Sequence, residues 1–139
     1  MFGRKTYNQE ELDHAKAIVD RQLAAYQSLV KAVAGQKVDS TLGGLEEELF
    51  NNMVIVLDRL FVHRLRMVAG KDGNPLNEVE LICDSLMNNN GIMRGNNVVK
   101  YVADHSVVRL AIGDQIRLTA TQFEQLAAAF FIELERRFL

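Results

Sequence analysis

Residues Leu45–Ala69, LEEELFNNMVIVLDRLFVHRLRMVA, carry the widest apolar arc in the chain. On a helical wheel at about 100° per residue, Leu49, Met53, Val56, Leu60 and Met67 form one stripe. Phe50, Val54, Leu57, Phe61, Leu65 and Val68 form the next, and Ile55 and Val62 lie beyond, inside the polar side. A helix that is apolar over more than half its circumference is covered from several directions. The stretch therefore predicts a central helix, the most buried element, with Leu57, Leu60 and Phe61 in the core.

On its N-terminal side, a first helix is predicted over about Gln9–Ala34. Asn8 is a good N-cap, and Glu10, Glu11 and Asp13 put negative charge where the helix dipole favours it. Leu12, Val19, Tyr26 and Val33 recur every seven residues, with Leu23 and Val30 beside them. The face is too wide for a two-stranded coiled-coil seam and fits a bundle helix with several neighbours. Gly35 follows as a C′ glycine. Gly35–Gly44 then reads as a short connection, which favours an antiparallel helical hairpin.

On the C-terminal side, Gly70–Pro75 (GKDGNP) is the clearest break in the chain. Asn74 as N-cap and Pro75 at the first helical position open a third helix. Leu76, Val79, Ile82, Cys83 and Leu86 are its buried stripe, and it ends near Asn88, where Asn89, Asn90 and Gly91 follow. Between residues 92 and 119, Val98, Val99, Tyr101, Val102, Val107, Val108 and Ile116 stand at near-alternating spacing. This pattern predicts strands at about 98–102, 106–111 and 115–118. Thr119-Ala-Thr-Gln122 is a capping box. It opens a fourth helix whose apolar face runs from Phe123 through Phe130, Phe131 and Leu134 to Phe138. The expected class is α+β, predominantly helical: a long helical hairpin plus two further helices, with a small antiparallel sheet before the last.

Composition sets the outer limits. The chain of 139 residues is 48% hydrophobic and 24% charged, which fits one domain with its own core. A net charge of −2 and a pI near 5.9 argue against a general nucleic-acid or polybasic membrane binder. The longest uninterrupted apolar run, Met53–Leu57, is far too short to span a membrane. Cys83 is the single cysteine, which excludes an intramolecular disulfide and a multi-cysteine zinc site. A cytoplasmic location is expected, and no signal peptide is recognisable at the start.

Chemistry-bearing candidates are few. Asp104-His105-Ser106 holds the residue types of a hydrolase triad, but adjacent residues of an extended segment point to opposite sides; a polar turn is expected there. Glu46, Glu47 and Glu48 differ by about 100° each on the wheel and cannot converge on a metal. They read as the acidic first turn of the central helix. His14 and His63 fall on the borders of apolar faces and read as partly buried packing residues. Cys83 reads as a small buried hydrophobe. No catalytic residue, metal ligand or cofactor is implied.

One arrangement points to a ligand. A hairpin over Ser106–Thr119 with a three-residue loop, Ile112-Gly113-Asp114, pairs Val108 with Leu118 and Leu110 with Ile116, giving one clean apolar face. It also places Arg109 opposite Arg117, and facing like charges need neutralising. A carboxylate would do so. So would a small anion held by the two guanidinium forks, with Lys100 near if the first strand forms. The leading expectation is nevertheless a small intracellular protein that self-associates as a homodimer and has no catalytic role. Broad apolar faces on all four helices suggest it, as do Ile55, Val62, Leu81 and Ile132 on sides that otherwise look solvated. The alternatives are an anion- or small-molecule-binding module built on Arg109, Arg117, Lys100 and the asparagine-rich loops, and an enzyme whose residues converge only in the fold.

Overall fold

The computed structural model describes residues 3–139. Five α-helices occur among them: α1 (Gln9–Ala32), α2 (Asp39–Leu60), α3 (Arg66–Ala69), α4 (Pro75–Asn88) and α5 (Ala120–Phe138). The described residues contain no β-strand, only three isolated bridges, Arg4 with Arg64, Asp72 with Lys100 and Ile92 with Gln115. The α+β expectation is thereby corrected: the fold is helical throughout, with irregular connections. α5 lies against α1, α2, α3 and α4, and α4 also packs on α2. The buried apolar residues form one continuous cluster from Tyr7 to Phe138.

Three helix starts follow the capping chemistry. Asn8 and Glu11 form a reciprocal capping box at α1, and Thr119 and Gln122 form another at α5. The Asn74 side chain accepts from the amides of Leu76 and Asn77 at α4, with Pro75 at the first helical position. At the end of α1, Gly35 takes φ +81°, the left-handed conformation in which glycine has no Cβ penalty.

The central helix departs from expectation at both ends and in depth. α2 begins at Asp39, not Leu45, so Gly43 and Gly44 are helical and the connection from α1 is shorter than predicted. It stops at Leu60, because Arg64 folds back on the helix end. The Arg64 guanidinium donates to the Phe61 carbonyl (2.9 Å), a backbone group at the helix terminus left open by the helix itself, and pairs with the Asp58 carboxylate (2.7 Å). Leu65 is extended, and α3 follows as a single turn. Leu57 and Phe61 are in the core as predicted, while Leu60 is only half-buried. The most buried helix is α4. More than half of it is inaccessible, including the polar Asn77, Glu78 and Ser85.

The segment from 92 to 119 fails to form strands because its amides find other partners. Glu78 Oε1 and Oε2 accept from the amides of Val107 (2.8 Å) and Val108 (3.0 Å). Asn51 donates to the Ile116 carbonyl (2.9 Å) and accepts from the Leu118 amide (3.1 Å). The Asn96 side chain accepts from the amides of Val98 and Val99. Side chains of two helices and one loop thus occupy positions a neighbouring strand would take, and a satisfied backbone needs no ladder. Val99, Val108, Ile116 and Leu118 are still buried. Their alternation reports contact with the core and not a sheet.

Candidate functional site

The predicted hairpin is absent. The Gly113 amide donates to the Met93 carbonyl and the Met93 amide to the Asp114 carbonyl, both at 2.8 Å. Residues 113–116 therefore run beside 91–93 instead of 106–110, and a tight turn over Ala111–Asp114 replaces the three-residue loop. Gly91, at φ +77°, permits this approach: a Cβ there would meet Gln115 Nε2 at 2.9 Å. The register that set Arg109 opposite Arg117 does not exist.

Each of the three predicted ligand residues hangs from a different anchor. Arg109 is exposed at φ +54°, with its amide held by Ser106 Oγ (2.9 Å). Arg117 is exposed between Ile116 and Leu118, the two residues that Asn51 holds. Lys100 is exposed beside the GKDGNP turn, its amide donating to the Lys71 carbonyl (2.7 Å). Among the described residues, no hydrogen bond or ion pair joins any two of them, and none of the three pairs with a carboxylate.

The other chemistry-bearing groups serve the fold. Asp104-His105-Ser106 closes a 3-10 turn over Ala103–His105. Ser106 Oγ donates to the Ala103 carbonyl (2.7 Å) and accepts from Arg109, so its capacity is used within the turn. His14 and His63 are exposed, not half-buried as expected. Cys83 is buried, and burial first, then the neighbouring Asp58 carboxylate, pushes its thiol up to about 12. Asp58 itself is held by Arg64. A cleft of about 90 Å³ lined by Asp58, Arg64, Arg66 and Glu80 is too small for an ordinary organic ligand. Its Arg66 and Glu80 already pair with each other. No cluster of three or more metal-ligating side chains occurs among the described residues, and no helix there is long and apolar enough to cross a membrane.

Exposed apolar residues occur at several places, among them Met67, Ile132 and Ile112, and an apolar groove lies at the far end of the α1–α2 hairpin. The buried residues of α1 stop at Tyr26 and those of α2 begin at Phe50. Between them, Leu29, Val30 and Leu45 are 40%, 37% and 44% exposed. Leu29 and Val33 of α1, with Val38, Thr41, Leu42 and Leu45 on the α2 side, line a shallow apolar groove of about 180 Å³. The sequence signalled the apolar face but not this exposure, since the start of α2 was hidden by Gly43 and Gly44. A helical bundle with a projecting two-helix tip is the class of molecule these features define. Comparison with known proteins finds no family model, no curated relative and no solved structure that matches the chain.

Proposed function

We propose that this chain is a self-associating helical protein whose role is assembly and not catalysis. One observation carries the reading: the α1–α2 tip bears a shallow apolar groove beside which Leu29, Val30 and Leu45 are exposed. Contiguous exposed apolar surface of this kind marks protein contact sites. Asp58, Asp84 and Glu78 are held by Arg64, Arg94 and the amides of Val107 and Val108, within the fold. Placement in the cytoplasm as one domain belongs to the same proposal. A lone, buried cysteine thiol and a continuous core support it.

Amide hydrogen exchange at two protein concentrations tests the proposal. Amides of residues 29–49 should exchange more slowly at the higher concentration, while those of α4 stay unchanged. Equal rates throughout the tip at both concentrations would refute it.

Anion binding by Arg109, Arg117 and Lys100 is the second reading. Its support is that all three are exposed and free of carboxylate partners among the described residues. A phosphate titration followed at the amides of residues 100, 109 and 117 decides it; saturable shifts at all three would favour it over assembly alone.

A further inference from the structure

Asn90-Gly91 is the one asparagine–glycine step in the chain. It lies just past α4, with Asn90 at φ +56°, a left-handed conformation that asparagine tolerates. Other asparagines of the same loop have their side chains in use. Asn88 donates to Asp84 Oδ1 (2.8 Å), Asn89 donates to the Ile92 carbonyl (2.7 Å), and Asn96 accepts from the amides of Val98 and Val99. Asn90 is exposed, and its side chain makes no hydrogen bond among the described residues. Asn97 is exposed too, but the β-branched Val98 follows it and crowds the next amide. Glycine after Asn90 leaves that approach open. Asparagine is a thermally labile side chain, and its reaction with the next backbone nitrogen is easiest where that residue has no side chain.

We propose that Asn90 is a site of spontaneous deamidation whose products unfasten residues 113–116 from residues 91–93. The Gly91 amide nitrogen, its proton taken by solvent hydroxide, attacks the side-chain carbonyl carbon of Asn90. A carbon–nitrogen bond forms there, the bond to the side-chain nitrogen breaks, and ammonia leaves with a proton from water, closing a cyclic imide. Water then opens the imide. Opening at the side-chain carbonyl yields aspartate in the ordinary linkage, and opening at the main-chain carbonyl yields a β-linked aspartate. In the folded chain the Gly91 amide donates to the Ser85 carbonyl (3.1 Å), so the reaction waits for the end of α4 to open locally. Both products place a carboxylate at the C-terminal, negative end of the α4 dipole. The β-linked product also adds a methylene to the main chain directly before Gly91. The Gly91 carbonyl accepts from the Ile116 amide (2.8 Å) and from Gln115 Nε2 (3.2 Å), and both bonds depend on its present position.

The test ages the full chain in mildly alkaline buffer, folded and in denaturant, and follows each asparagine by peptide mass spectrometry with the β-linked product resolved by chromatography. Asn90 should convert before every other asparagine, and several-fold more slowly in the folded chain than in denaturant. In the aged folded chain, amide exchange at Ile116 should quicken while exchange within α1 stays the same. Asn90→Gly suits the left-handed backbone and has no amide to lose; its Ile116 exchange should not change on ageing. An Asn90 that stays intact through the incubation overturns the site, and equal conversion in the folded and denatured chains overturns the gate at Ser85. Ile116 exchange that is unmoved by conversion, or that quickens equally in the aged Asn90→Gly chain, overturns the link to residues 113–116.

Discussion

Glu78 is the residue on which the irregular half of the molecule hangs. It is fully buried, has no cationic partner among the described residues, and holds Val107 and Val108 through their amides. Burial raises its carboxyl above the ordinary range, and the two amides only partly offset that. With a raised folded value, the folded state binds the extra proton. The contribution of Glu78 to stability is therefore full below the ordinary carboxyl range and declines as pH rises through the raised value. Asp72, held by Asn74, and Asp84, held by Arg94, have lowered carboxyls and act in the opposite sense: their contributions fade as pH falls. Glu78→Gln keeps the shape but leaves one amide facing a donor, and should cost about 1–3 kcal/mol. Denaturant unfolding across acidic to neutral pH should show this cost largest at low pH. A pH-independent cost would mean the carboxyl is not raised. Cys83, with its thiol near 12, should resist alkylation at neutral pH in the folded protein and react once unfolded. Rapid labelling of the native chain would contradict its placement.

Among the elements, α1, α4 and α5 were legible in the sequence because their starts are local chemistry. Asn8, Asn74-Pro75 and Thr119-Gln122 cap amides two or three residues away. Asn74→Ala should cost about 1–2 kcal/mol, read by equilibrium unfolding, since it also releases the Ala69 carbonyl (2.8 Å). The end of α2 was not legible: no glycine or proline marks it, and the pairing of Asp58 with Arg64 is a product of the fold. Its start was masked by Gly43 and Gly44, which read as loop residues. The 92–119 segment misled for a third reason. Burial at alternate positions mimics a strand, but the partners of its amides, Glu78 and Asn51, lie far away in sequence. The candidate ligand residues fell with that segment, since their convergence depended on a register. Asn51→Ala should speed amide exchange at Leu118 without altering α5. Unchanged exchange would show that this side chain is not the anchor. Leu57→Ala, at a fully buried position on α2, should cost about 2–5 kcal/mol; a loss of the size typical of surface changes would misplace the core.

At the scale of the molecule, α1 has 24 residues, about 36 Å at 1.5 Å per residue. A compact body of this chain length is only about 37 Å across. Because buried side chains on α1 end at Tyr26, its last turns and the first turns of α2 form a tip whose apolar groove is only partly covered within the chain. A partner there lengthens the buried apolar seam without disturbing the core. A stable interface of this kind removes on the order of 1,000 Å² or more from water. Sedimentation equilibrium of the wild-type chain over a range of micromolar concentrations tests this most directly. Self-association predicts a mass rising toward twice 15.7 kDa as concentration increases, and a drop back when Leu45→Glu puts charge into the groove. A mass fixed at 15.7 kDa at every concentration would contradict it.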